Sequence, residues 1–355
     1  MKSVYKSINW IKNIYRIRGP AKTRFDYLRL DKNERVSNIR TSFLKNLLKK
    51  IRTEHLTAYP ETEKLYDLIS RKIKVNKKSI VVTAGSDTAI RTCFDLFVKP
   101  KDKIVTISPT FAMVDIYAKL YRAKQIKIKY DSKLNLDFKK LLNCINRKVR
   151  LVVIANPNSP TGTLLGKDEI VKVLKKAMKR STLVLIDEAY FGFSKDSCLS
   201  LIKKFPNLIV TRTFSKSFGL AGCRVGYIVS NQNLADKLFR FKPMYEINSI
   251  AILIATEFLK KKMDLKYINQ TKEGKNYLIA HLDKMNFDYI DTAANFIHIN
   301  FRNKRNTAEK TFFKNKVLVK GGPGVKGYEN FLRITLGPKK DMEKVVFVIK
   351  KIKNL

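Results

Sequence analysis

The chain has 355 residues, a formal net charge of +43 and 45% hydrophobic residues, which suits one large α/β unit with a smaller domain and supplies a full core. No apolar run approaches the roughly 20 residues that cross a bilayer, and the basic start, Met1–Gly19, lacks the apolar stretch and cleavage site of a signal peptide. The 4 cysteines and 3 histidines are scattered without metal-ligand spacing, so neither a metal site nor a disulfide framework is expected, and a cytoplasmic location follows from reduced thiols.

The positive charge admits nucleic-acid or anionic-membrane binding. Lysine dominates, however, and is spread along the whole chain. Binding faces for phosphates favour arginine forks. A lysine-biased, solvated surface is therefore expected, with attraction for anionic substrates. Met1–Gly19, with Trp10, Ile11, Ile14, Tyr15 and Ile17, reads as an arm that packs on the body or on a partner subunit.

Phe25–Arg35 reads as a short strand running into a polar turn, followed by an amphipathic helix over 40–52. Thr57-Ala58-Tyr59-Pro60-Glu61 is a turn, and 62–73 a helix. The apolar strand Ile80–Thr83 leads at once into Ala84-Gly85-Ser86-Asp87-Thr88 and a helix over Ala89–Val98. Strand, glycine turn and helix N-terminus together make an anion site.

Alternation continues with strand Lys103–Ser108, Pro109-Thr110-Phe111, helix Met113–Tyr121, strand Gln125–Lys129 and helix Asp137–Cys144. Strand Val149–Ala155 ends in Asn156-Pro157-Asn158-Ser159-Pro160-Thr161-Gly162, with helix Asp168–Lys179 beyond it. Strand Leu183–Ile186 ends in Asp187-Glu188-Ala189-Tyr190, and strand Asn207–Thr211 ends in Ser215-Lys216-Ser217. Strand Val225–Ser230 closes the series. Such alternation predicts a mostly parallel sheet covered on both faces, with ligands at the carboxyl ends of its strands. Each polar cluster falls at such an end.

After about Lys242-Pro243 the pattern changes to helices over Ser249–Lys260 and Leu265–Asn286, strand Phe296–Phe301, a helix near Thr307–Lys314, and strands Val317–Val319 and Phe331–Thr335. This predicts a smaller α+β domain. The expected division is 1–40 as arm and start of the small domain, 41–245 as the large domain and 246–355 as the small C-terminal domain.

Lys216 stands between two serines among small and apolar residues, with Arg224 beyond. A lysine in such surroundings tends to lose its proton and act as a nucleophilic amine. An amine of that kind forms a Schiff base with an aldehyde, and pyridoxal phosphate is the common aldehyde cofactor. Ser215, Ser217 and Arg224 offer donors for its phosphate.

In this order, Tyr59-Pro60, Gly85-Ser86-Asp87, Phe111, the Asn156–Gly162 loop, Asp187–Tyr190, Ser215-Lys216, Arg224 and Leu332-Arg333-Ile334-Thr335-Leu336-Gly337 resemble fold-type I pyridoxal-phosphate enzymes, specifically the histidinol-phosphate aminotransferase family. The resemblance runs from about Asp26 to the C-terminus. It implies an α/β large domain with a mostly parallel seven-stranded sheet, a small α+β domain and a homodimer. Lys216 would hold the cofactor and shuttle a proton at the substrate Cα. Asp187 would pair with the pyridine nitrogen, Tyr190 with the ring oxygen, and Phe111 would stack on the ring.

The same resemblance gives the phosphate to Ser86, Asp87, Ser215 and Arg224, with Tyr59 arriving from the second subunit. Arg333 would clamp a substrate carboxylate, with Asn33, Arg35 and Lys320 at the substrate end. Asn158 is the expected contact to the ring oxygen, although the family places its Asn where Ser159 stands; both alternatives remain at this point. The family often has Arg in place of Lys320, and Arg35 stands where biosynthetic members carry Asn-Pro. Tyr15, Arg16 and Arg18 lie where the family's N-terminal segment covers substrate.

The implied reaction moves an amino group from glutamate to a small phosphorylated ketone or aldehyde, in histidine biosynthesis or a sugar or capsule pathway. The alternatives are a decarboxylase of phosphorylated amino acids and a basic nucleic-acid-binding protein on the same fold.

Overall fold

The computed structural model describes residues 24–194 and 196–354. The expectations for Met1–Gly19, including Tyr15, Arg16 and Arg18, lie outside the described residues.

The chain enters through a two-residue strand, β1 (Leu28–Arg29), then builds the large domain from β2 (Ile80–Thr83), β3 (Lys103–Ser108), β4 (Lys124–Lys129), β5 (Val149–Ala155), β6 (Leu183–Asp187), β7 (Leu208–Thr213) and β8 (Gly226–Ser230). These seven form one sheet in the order β2-β8-β7-β6-β5-β3-β4. β8 runs antiparallel to β2 and β7, and the other pairings are parallel.

Both faces are covered, which is why its strands read as continuous apolar runs rather than as alternation. Val81, Leu151, Leu185 and Ile209 face the helix Gly85–Phe97 through Ile90 and Phe94. Val82, Val152, Ile186 and Val210 face the other way, towards Ile170, Val173 and Leu174 of the helix Lys167–Met178. Alternate residues along each strand thus feed two separate cores.

The helix Ser249–Lys260 corrects the expected boundary at 245. Its Ala251, Ile252, Ala255 and Phe258 are buried in the large-domain core with Leu65 and Ile69 of the helix Glu63–Ile73. The next helix, Met263–Lys284, places Leu278 and Leu282 in the small-domain core.

That small domain holds β9 (Tyr289–Ile290), β10 (Phe296–Asn300), β11 (Val317–Leu318), β12 (Lys320–Gly321) and β13 (Phe331–Thr335). An antiparallel sheet runs β12-β13-β10-β9, and β1 pairs parallel with β11. The expected strand Val317–Val319 is therefore split, with β11 on β1 and β12 on β13. The helix Lys339–Lys353, absent from the sequence reading, closes this core through Met342, Val345, Val346 and Ile349.

Candidate active site

The carboxyl ends of β2, β3, β5, β6 and β7 open on a cavity of about 620 Å³. Its floor comes from the large domain, with Ser86, Phe111, Asp187, Tyr190, Ser215 and Lys216 among the lining. Its roof comes from the entry segment and the small-domain sheet, through Asp31, Lys32, Asn33, Glu34, Lys320 and Arg333.

Lys216 follows β7 and is half-buried. Its Nζ donates to the Lys32 carbonyl at 3.0 Å and lies 5.6 Å from the centre of the Tyr190 ring. Asp187 is the last residue of β6 and is 5% exposed. Its Oδ1 accepts from the Thr211 hydroxyl at 2.8 Å. Burial pushes its carboxyl up to about 6, against the pull of the Thr211 hydroxyl, the Ala189 amide and the Lys216 charge. A carboxylate so disfavoured is completed by a cationic N–H partner.

An anion cradle sits at the other end. Gly85 has φ +89° and opens a 13-residue helix whose first turn carries Ser86 and Asp87. A Cβ on Gly85 would come within 2.7 Å of Arg224 Nη2, so only glycine lets the guanidinium close over the helix start. Arg224 Nη1 reaches Ser215 Oγ at 3.3 Å. Asp87 lines the cavity and accepts from the Tyr117 hydroxyl at 2.9 Å. Helix N-terminus, hydroxyls and guanidinium are the donor set a phosphate group needs.

Across the cavity β12 and β13 place Lys320 and Arg333 opposite one another. Arg333 Nη2 donates to the Asp31 carbonyl at 2.7 Å, and its guanidinium lies 5.3 Å from the centre of the Phe296 ring. Its buried Nε has no partner among the described residues. Burial lowers the pKa of this guanidinium.

Some expected residues stand elsewhere. Asn158 does not line the cavity; it is 1% exposed and spends its amide on the Pro109 carbonyl at 2.9 Å and Thr161 Oγ1 at 2.8 Å. Ser159 lines the cavity instead. Arg35 also points away. Its guanidinium packs 4.4 Å from the Tyr267 ring centre and Nε donates to the Ser37 carbonyl at 3.0 Å. The left-handed turn at Asn33, φ +54°, redirects the chain just before it. Tyr59 is 75% exposed and stacks on Tyr245 at 4.2 Å, outside the cavity lining.

Sequence reasoning missed Asp31, Lys32 and Glu34, because the first two act through backbone carbonyls, which leave no residue signature. Glu188 of the Asp-Glu-Ala-Tyr run turns beneath the sheet edge, where it forms a buried pair with Arg212 at 2.8 Å.

Lysine amine, buried carboxylate, aromatic lid and phosphate cradle on a seven-stranded doubly covered sheet define a fold-type I pyridoxal-phosphate enzyme. The family model "Aminotransferase class I and II" matches residues 26–349. A histidinol-phosphate aminotransferase of Caldanaerobacter subterraneus subsp. tengcongensis is 33% identical over 312 residues, covering 87% of this chain and 88% of its own. Among solved structures, the histidinol-phosphate aminotransferase of Clostridium acetobutylicum superposes with TM-score 0.79 at 26% identity, over 92% of this chain and 99% of that one. The one from Sinorhizobium meliloti, in complex with pyridoxal-5'-phosphate, gives TM-score 0.85 at 19% identity, over 99% of both chains. The chain belongs to the class I and II aminotransferase family and is a pyridoxal-phosphate-dependent aminotransferase. Among the described residues no helix is long and apolar enough to cross a membrane.

Proposed function

We propose that the protein transfers an amino group between glutamate and the carbonyl form of a small phosphate ester, with histidinol phosphate the leading candidate. The observation that carries this is the cationic roof. Arg333 and Lys320 stand side by side on β13 and β12, with the Arg333 Nε still unpartnered. Two adjacent cations suit a dianionic phosphate, and the same pair suits the carboxylate of glutamate. The relative at 33% identity bears the name of the histidinol-phosphate enzyme. A sugar- or capsule-derived phosphate is the second reading. It is favoured by Lys320, a point charge where the family often has an arginine fork.

The residues present fit the cofactor. Ser86, Asp87, Ser215 and Arg224 would hold its phosphate, Asp187 its pyridine nitrogen, Tyr190 its ring oxygen and Phe111 its face, with Ser159 in place of Asn158 at the loop. When bound, pyridoxal phosphate supplies the aldehyde that takes the amino group and the ring that accepts the electron pair from Cα. Lys216 anchors it and, once released, moves the proton at the substrate Cα as base and then acid. Asp187, pushed towards its neutral form while alone, gains its charge opposite a ring N–H. Arg333 orients the substrate by its carboxylate or phosphate end. Tyr59 reaches the phosphate of a second subunit, so the working unit is a cytoplasmic homodimer.

The test is a panel of phosphorylated carbonyl compounds with glutamate as donor, following 2-oxoglutarate, with histidinol phosphate run in reverse. Histidinol phosphate ahead by orders of magnitude in kcat/KM assigns the first reading, and a sugar phosphate ahead assigns the second. No transfer to any phosphate ester, or carbon dioxide from phosphothreonine, overturns both.

A further inference from the structure

Three consecutive residues of the entry segment each hold a different group of the site. The Asp31 carbonyl takes Arg333, the Lys32 carbonyl takes Lys216, and the Asn33 Nδ2 donates to the Tyr190 hydroxyl at 2.9 Å. We propose that Asn33 is a positioning residue whose side-chain amide, by donating to the Tyr190 oxygen, turns the hydroxyl's own proton into the cavity. This rests on the reading that Tyr190 meets the cofactor's ring oxygen, and it gives Asn33 a role distinct from substrate contact.

A tyrosine hydroxyl has one proton and a limited set of acceptor directions. With Asn33 donating along one of them, the proton is left for a partner on the cavity side. Asn33 is well placed to enforce this. It is 2% exposed and Tyr190 6%. Its φ of +54° lies in the left-handed region, which Asn tolerates better than most residues. Both ends of its backbone are tied, since its N–H donates to Thr335 Oγ1 at 3.0 Å and its carbonyl accepts from Asn295 Nδ2 at 3.2 Å. The amide oxygen faces Thr335 Oγ1 at 3.2 Å, which leaves the nitrogen end on Tyr190. An aspartate at this position would offer only acceptors and would draw the tyrosine proton back out of the cavity.

The readout is the pH midpoint of the visible band of the purified holoenzyme, measured without substrate. Hydroxyl donation to the ring oxygen favours its charged form and holds that midpoint down. Tyr190→Phe should raise it by about one pH unit. Asn33→Gly, which keeps the left-handed backbone but removes the amide, should raise it by roughly half a unit. Asn33→Asp should raise it at least as far. Neither Asn33 variant should shift it further in the Tyr190→Phe background, because the effect passes through the hydroxyl. Equal shifts in both backgrounds, or none from either Asn33 variant, overturn the proposal. A wild-type midpoint for Asn33→Asp alone shows the amide accepting rather than donating and overturns it too. A silent Tyr190→Phe instead defeats the placement of Tyr190 on the cofactor, and the proposal falls with it.

Discussion

The Lys216 ammonium of the large domain is held 3.0 Å from the carbonyl of Lys32, which lies 184 positions earlier and belongs to the entry segment of the small domain. The reactive amine therefore reports on how the two halves of the cavity meet. A substitution that loosens the roof should disturb chemistry on the floor as well as substrate binding.

Arg333 is the first case. Arg333→Lys keeps a charge but loses the fork that reaches both the Asp31 carbonyl and a substrate oxygen. A charge-assisted hydrogen bond is worth about 1.5–3 kcal/mol, so kcat/KM for glutamate should fall by roughly 10²-fold. The visible band of bound cofactor should persist. Steady-state kinetics beside an absorbance scan check this, and an unchanged kcat/KM would remove Arg333 from the substrate end.

The cofactor-free protein should show two opposed pH terms. Burial raises the Asp187 carboxyl from 3.8 to about 6, so between those values the folded state holds the extra proton and stability falls as pH rises. Burial lowers the His298 imidazole from 6.5 to about 4, so in that window the unfolded state holds the extra proton and stability rises with pH. Each span corresponds to about 3 kcal/mol. Relative to wild type, Asp187→Asn should gain stability with rising pH between about 4 and 6, and His298→Gln should lose it. Denaturant midpoints across that range decide, and parallel profiles for all three proteins would contradict both assignments.

The site was legible where chemistry sits in side chains at strand ends. Lys216, Asp187, Tyr190, Ser86 and Arg224 all line the expected cavity because a parallel sheet delivers every strand end to one edge. What was not legible depends on direction rather than identity. Asn158 and Ser159 are neighbours on one loop, yet only the second faces the cavity, and nothing in their order says which. Arg35 follows a left-handed residue that turns it onto Tyr267. The helix Ser249–Lys260 has the same apolar pattern whichever core it joins, so periodicity alone could not assign it to the large domain.

Tyr59 should act across subunits. Its ring is exposed beside Tyr245 and outside the cavity of its own chain. Lys216→Ala and Tyr59→Ala homodimers should each be impaired, and mixing them with subunit exchange should restore part of the activity, since half the hybrid sites carry neither lesion. No recovery on mixing, or an active monomer in sedimentation, would contradict the shared site.

The charge of +43 should not make a specific nucleic-acid binder. Binding to duplex DNA should be weak and should fade steeply with salt, as counterion release dictates. Sub-micromolar, sequence-selective binding near physiological salt would overturn that expectation.

Covalent attachment at Lys216 is tested most directly by borohydride reduction of the holoenzyme followed by peptide mapping. The label is expected on the Ser215-Lys216-Ser217 peptide alone, and Lys216→Ala should fold, take no label and turn over no substrate. A label on any other lysine, or turnover by Lys216→Ala, would contradict the assignment on which the rest depends.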